Sequence, residues 1–183
     1  MAKVPANVLV IFDEAYYEFS DIPFSGISFL SKNKPVIVLR TFSKAFGLAG
    51  LRVGFAVSHP DLINGLSRVR DPFNASVPAL AGALAAWQDR EYLQEIVNKN
   101  REERERLTAT LISLGARVFP AHTNFIMVFF PEDGTKLGDD LLKAGIIVRP
   151  GNIFGYPDGI RITIGTREEN DKLLDFLKKR YAV

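Results

Sequence analysis

Lys44 follows an apolar run, Val36 to Leu39, that closes in Arg40, Thr41, Phe42 and Ser43, and it precedes a stretch with glycines at 47, 50 and 54. That is a poor position for a solvated surface lysine. Desolvation and neighbouring positive charge lower the proton affinity of an amine, and an amine in such a place can attack a carbonyl as a Schiff-base lysine does. Arg52, eight residues on, lies among glycines that let backbone approach an anion, while Thr41 and Ser43 add hydroxyl donors. The segment TFSKAFGLAGLRVG can therefore hold a phosphate while Lys44 attacks a carbonyl. A second group, Asp13, Glu14, Ala15 and Tyr16, follows the apolar run Val8 to Phe12. The carboxyl end of a strand is where open α/β sheets hold their ligands. Alone, this group also reads as an ordinary strand-to-loop transition. Its combination with Ser-Lys, the arginine and the glycines gives the pattern its specificity.

Composition removes other chemistries. The chain has 183 residues, 47% hydrophobic and 24% charged, with 23 basic against 21 acidic side chains and a net charge of +2. It has no cysteine, so disulfides, thiol nucleophiles and Cys-ligated metals are out, and His59 and His122 alone do not make a poly-His metal site. Both histidines read as structural, and no metal is expected. No apolar run approaches the ~18 residues of a membrane span, and Val8 to Phe12 is too short for a signal segment. The compartment expected is cytoplasmic. The charge run Arg101 to Arg106 mixes both signs at i,i+3 and i,i+4 spacing, the pattern of a solvated helix face, so neither a nucleic-acid nor a membrane partner is expected.

The elements that must position these residues follow from hydrophobic period. Val8 to Phe12 and Val36 to Leu39 read as strands of a parallel sheet covered on both faces, joined by a crossover rich in Gly, Pro and Ser. Val53 to Val57 is a third strand, and Pro60 opens a helix that stops before Pro72. Ala79 to Trp87, nearly all Ala and Leu, predicts a tightly packed buried helix. Apolar residues from Leu93 to Leu114 keep a 3.6-residue period, which predicts one long helix over 91–114 capped by Gly115. Beyond it come strand-like pieces at 117–119, 124–130, 146–149 and 160–164 and a helix over 136–144. A last helix is capped by Thr166 with Glu169 as reciprocal partner. The class is α/β, a mostly parallel sheet joined by a long helix to a small α+β domain, with domains expected at 1–100 and 101–183.

DEAY after one buried strand, and SK with Arg52 and its glycines after the next, resemble the pyridoxal-phosphate aminotransferases of the aspartate aminotransferase fold, most closely the histidinol-phosphate aminotransferases. The resemblance spans essentially all 183 residues. It implies pyridoxal 5'-phosphate as cofactor, carried on Lys44, which also moves the substrate α-proton. It implies that Asp13 pairs with the pyridinium nitrogen, that Tyr16 bonds the cofactor's phenolic oxygen and that Ala15 packs near the ring. Ser43 and Arg52 would bind the phosphate, with Thr41 beside them. Arg161, in GIRITIGT, resembles the arginine that binds the substrate α-carboxylate, its fork suited to a bidentate pair. Arg149 resembles one that contacts the substrate phosphate, and also reads as a strand terminator before Pro150. Asn124 reads equally as a substrate contact or a turn cap.

The implied reaction is amino transfer between histidinol phosphate and 2-oxoglutarate in histidine biosynthesis, with small-molecule substrates, in a homodimer. Threonine-phosphate decarboxylase and aromatic aminotransferase chemistry use the same central residues, and a non-catalytic folding or interaction module is the alternative of another class. Relatives carry an amino-terminal half with a phosphate-cradling loop, a ring stacked on the cofactor and an NPNNPTG-like asparagine. These motifs do not occur in this sequence. The expectation is a carboxyl-terminal portion that is inactive alone and exposes the faces of its first strands.

Overall fold

The computed structural model describes residues 3–22, 24–32 and 34–181, which form two compact units, Met1–Glu95 and Ile96–Val183. The first is built on a three-stranded sheet in the order β1 (Val10–Asp13), β2 (Val36–Thr41), β3 (Gly54–Ser58). β1 and β2 run parallel with Asp13 level with Leu39, whereas β3 returns antiparallel through the loop that carries Lys44. The crossover between β1 and β2 holds two short 3-10 segments, Tyr17–Phe19 and Gly26–Lys32, in keeping with its helix-breaking composition.

Helix α1 (Pro60–Val69) starts with Pro60 in its first turn, and His59 caps it: its Nδ1 accepts the Asp61 N–H at 3.4 Å. Helix α2 (Val77–Gln88) is capped by Ser76, whose hydroxyl accepts the Ala79 N–H. Its expected full burial is not met. Ala79 and Ala83 are buried against Phe42, Phe46 and Val53, but Leu80 and Leu84 are 54% and 60% exposed. Only the small-residue stripe fits against the loop before β3. The first strand also differs from expectation. It begins at Val10, and Val8, Leu9 and Ile11 are exposed, because β1 is an edge strand covered on one face by the 3-10 crossover.

Helix α3 (Arg90–Ser113) is the long helix anticipated, and it ends just ahead of Gly115. The second unit has an antiparallel sheet in the order β4 (Arg117–Val118), β5 (Phe125–Phe129), β7 (Gly159–Thr163), β6 (Arg149–Pro150). Ile126, Val128, Ile160 and Ile162 point to one face, where Leu107 and Leu111 of α3 meet α4 (Gly134–Lys143) and α5 (Arg167–Tyr181) in a closed apolar core. Alternation sends Phe125, Met127 and Arg161 to the opposite face. The strand expected over 146–149 shrinks to Arg149–Pro150, because the Ile146 N–H is spent on the Leu141 carbonyl at the end of α4. The cap of α5 is reciprocal, as the sequence predicts: Glu169 accepts from the Thr166 N–H at 2.8 Å and Thr166 from the Glu169 N–H at 3.3 Å.

The run Arg101 to Arg106 is more than a solvated face. Arg104 is buried and donates to the Thr123 carbonyl, and Arg106 bridges Glu103 to Asp171 of α5 with contacts of 2.7 Å. Hydrogen bonding from Arg106, helped by Asn170, holds the Glu103 carboxyl below the usual carboxylate range, and Arg180 does the same for Glu132. A carboxylate that is more acidic folded than unfolded contributes stability that is complete above its unfolded value. That stability is lost as pH falls through the folded value. The chain should therefore lose stability as pH falls below about 4.5. Urea midpoints measured between neutral and acid pH check this, and Glu103→Gln should flatten the slope.

Candidate active site

The residues singled out for chemistry fall into two groups, one in each unit. In the first, Asp13 closes β1, and its Oδ1 accepts the Ala15 N–H at 3.1 Å, which curls the chain into the turn that presents Tyr16. Ala15 and Tyr16 are half-buried in that turn. Thr41 closes β2, and its hydroxyl accepts the Ser43 N–H at 3.0 Å. Lys44 then sits in a tight turn: the Gly47 N–H bonds the Lys44 carbonyl and the Leu48 N–H bonds the Phe42 carbonyl, both at 2.9 Å. Gly47 takes φ +71°, a left-handed conformation that a side chain would disfavour. Phe42, Ala45 and Phe46 are buried on either side of Lys44, and both rings pack near Trp87. This aromatic clamp fixes the turn while Lys44 itself stays half-exposed. Its Nζ stands 5.1 Å from the centre of the Tyr16 ring, so the amine of the second strand end meets the phenol of the first.

Arg52 occupies the left-handed region at φ 54°, uncommon for a residue with a side chain and a mark of local constraint. It follows the 3-10 turn Ala49–Leu51 and donates one Nη1–H to the Ala49 carbonyl at 2.8 Å, leaving other donors of its fork for an anion. The donor set suits pyridoxal phosphate: an amine for a carbonyl, a carboxylate for a ring N–H, a phenol for a phenolic oxygen, and Thr41, Ser43 and Arg52 for a phosphate. The strand ends and their turns bring these groups to one end of one sheet.

In the second unit, Arg161 lies on the central strand β7, between the rings of Phe125 at 5.0 Å and Phe154 at 5.7 Å. Its Nε is buried with no hydrogen-bond partner. A buried donor without an acceptor is costly, and a carboxylate laid against the fork would satisfy it. Arg149 lies directly opposite Arg161 across the β6–β7 pair, on the exposed edge strand. Two like charges in cross-strand register repel, a cost offset when an anion lies between them. Asn124 leads into β5, and its carbonyl accepts the Ile164 N–H at 2.9 Å.

The pairing of two residues named above was not anticipated from the sequence. Glu14 and Arg40 form an ion pair of 2.9 Å between the ends of β1 and β2, with Arg40 also lying 3.5 Å over the Tyr17 ring. The signal was available: each charge sits at the end of an apolar run read as one of two parallel neighbours, and opposite charges at adjacent strand ends can pair. Burial raises the proton affinity of the neighbouring Glu18 carboxyl, an effect that Arg40 partly offsets. Among the described residues, no cluster of three or more His, Asp or Glu side chains could hold a metal ion, and no helix is long and apolar enough to cross a membrane.

The family model for aminotransferase class I and II matches residues 1–177. The histidinol-phosphate aminotransferase of Akkermansia muciniphila is 44% identical over 179 residues, covering 98% of this chain and 49% of that protein. That of Brevibacillus brevis is 42% identical over 181 residues, covering 98% of this chain and 50% of its own length. The crystal structure of histidinol-phosphate aminotransferase from Sinorhizobium meliloti in complex with pyridoxal-5'-phosphate superposes with a TM-score of 0.87 at 32% identity, covering 98% of this chain and 50% of that one. The chain thus spans about half the length of the relatives it matches. With the Lys44 turn, the Asp13 strand end and this match over nearly its whole length, the chain belongs to the class I and II aminotransferases.

Proposed function

We propose that a protein built on this chain transfers an amino group between histidinol phosphate and 2-oxoglutarate, a step of histidine biosynthesis, with pyridoxal 5'-phosphate as cofactor. The observation that carries this reading is the meeting of Lys44 with Tyr16, beside Asp13, at the ligand-holding end of a parallel strand pair. When bound, the cofactor supplies a carbonyl for an amine and a ring that accepts the electrons released at the substrate α-carbon. Lys44 holds the cofactor covalently through Nζ and then moves the α-proton with the same atom. Asp13 keeps a proton on the ring nitrogen. Tyr16 donates to the phenolic oxygen, Ala15 packs near the ring, and Thr41, Ser43 and Arg52 bind the phosphate.

For the substrate, the fork of Arg161 takes the carboxylate common to amino-acid donors, and Arg149 takes the distal phosphate of histidinol phosphate, with Asn124 a further contact. The proposed assembly is a homodimer. The exposed apolar residues of the first unit support it: Ile11 is 57% exposed, and Phe73, held at φ 59° on the loop between α1 and α2, is 98% exposed. Phosphate esters and dicarboxylates do not cross bilayers unaided. The reaction therefore belongs where its substrates are made, which we take to be the cytoplasm.

Lys44 should be the one lysine fixed by borohydride after incubation with pyridoxal phosphate. Peptide mapping checks this, and label spread over surface lysines with none at Lys44 would refute the assignment. In a full-length enzyme carrying this sequence, Arg161→Ala should weaken every carboxylate-bearing donor, glutamate included, whereas Arg149→Ala should harm histidinol phosphate far more than glutamate. Each lost charge-assisted contact should cost about 2–5 kcal/mol in kcat/KM for the affected donor. Steady-state kinetics on both donors separates the roles, and equal losses for Arg149→Ala would remove the phosphate assignment. Light scattering at micromolar concentration should find a dimer or larger assembly, and a well-folded monomer would contradict the proposed interface.

A further inference from the structure

Two aromatic rings flank Arg161, and the chemistry just described gives them no part. Phe125 lies on β5 in register with Thr163, diagonal to Arg161 across the strand pair and on the same face, and its ring centre is 5.0 Å from the guanidinium carbon. Phe154 arrives by another route. It closes the 3-10 turn Gly151–Phe154, which follows β6 directly, and its ring centre is 5.7 Å from the same carbon. Among the described residues, Arg161 makes no ion pair, and its buried Nε has no acceptor.

The turn that delivers Phe154 is tightly built. The Tyr156 N–H bonds the Gly151 carbonyl and the Gly155 N–H bonds the Asn152 carbonyl, both at 3.0 Å, and Gly155 ends the turn at φ +81°. A Cβ on Gly151 would stand 2.6 Å from the Met127 Cε, so the start of the turn lies close against β5. The Tyr156 ring pins the far end on Phe119 and Phe129, with ring centres 5.9 and 5.6 Å away. Anchored at both ends, the turn still leaves Phe154 46% exposed. Burial therefore does not account for the place of this ring, whereas its contact with Arg161 does. A half-buried guanidinium needs compensation for the water it has lost, and an acidic partner would supply it only by filling the fork. A ring face attracts the cation without occupying its in-plane N–H donors.

We propose that Phe154 and Phe125 are positioning residues for Arg161: their rings hold the guanidinium in place and leave its fork open for a carboxylate. The inference rests on the assignment of Arg161 to the substrate carboxylate above. Without the rings the side chain samples more rotamers, and a bidentate contact must order it again on binding, which weakens that contact without touching the reacting atoms. Phe154 is the ring to vary, since it stands on an exposed turn whereas Phe125 is part of the sheet. Phe154→Leu keeps an apolar side chain and removes the ring face. Phe154→Tyr keeps the face.

The test follows the Arg161 Nε–H of the chain by 15N NMR, the signal being identified by its loss in Arg161→Lys, while glutarate is added as the carboxylate probe. Glutarate should shift that signal in the unaltered chain. Phe154→Leu should weaken glutarate binding by about threefold to tenfold, and Phe154→Tyr should hold it within about twofold. Before glutarate is added, the Nε–H should exchange with water faster in Phe154→Leu than in the unaltered chain or in Phe154→Tyr. In a full-length enzyme carrying this sequence, Phe154→Leu should raise KM for glutamate by the same factor and leave kcat within about twofold, a split that a general loss of stability would not produce. Unchanged glutarate binding in Phe154→Leu, or an equal loss in Phe154→Tyr, would overturn the inference, while loss of binding in Arg161→Lys kept the carboxylate assignment intact. An Arg161 signal indifferent to glutarate in the unaltered chain would sink both. Unfolding of Phe154→Leu and Phe154→Tyr alike would reduce the ring to scaffold and remove the positioning role.

Discussion

The parallel register of β1 and β2 is the constraint from which the layout of the first unit's candidate site follows. With Asp13 level with Leu39, the two strands end at nearly the same height, and the chain beyond each end is free to turn toward the other. One turn presents Tyr16 and the other presents Lys44, and they meet over 5.1 Å. A slip of one residue would exchange the faces of β1, sending Asp13 toward the crossover and Glu14 away from it. The apolar pairs Val10–Val36 and Phe12–Val38 guard against that slip, since the same shift would move them out of their packing.

The Lys44 turn shows how the proposed nucleophile is held without being buried. Phe42 and Phe46 flank it in sequence and anchor it in the core, together with Ala79 and Ala83 of α2. The small residues of α2 have their explanation here. They let the helix approach the loop closely, and the larger Leu80 and Leu84 are left on its exposed side. Rigid anchoring on both sides of a half-exposed amine is the arrangement that preorganised chemistry requires.

The second unit solves a different problem, that of holding charge on an otherwise apolar sheet. Its main core lies on the helix-covered face, where Ile126, Val128, Ile160 and Ile162 meet the leucines of α3, α4 and α5, while Phe129 on the opposite face packs with Phe119 and Tyr156. The opposite face is left for Arg161, whose guanidinium is flanked by two rings and whose Nε has no acceptor. The cross-strand placement of Arg149 adds a second cation at the same level. An anion laid between them would relieve both the unmet donor and the repulsion, which is the physical basis of the proposed substrate contacts.

Much of this was legible in the sequence because it rests on local rules. The start of α1 at Pro60, the capping box at Thr166 and Glu169, and the length of α3 come from short-range rules and a 3.6-residue period, which neighbouring residues settle among themselves. The Ser-Lys turn and DEAY were visible for the same reason, as residue types at fixed offsets from apolar runs. Tertiary structure decided the rest. Which face of α2 is buried depends on the loop it meets, and whether Arg104 and Arg106 are solvated depends on the Thr123 carbonyl and on Asp171 of α5 reaching them. The shortening of the strand at 146–149 depends on a hydrogen bond back to α4. The partnership of Glu14 with Arg40 is 26 residues apart in the chain and exists only because two strands pair in parallel. A sequence states which groups are present and how they are spaced along one dimension; which charges neutralise one another, and which remain for a ligand, is settled by the contacts that folding makes across it.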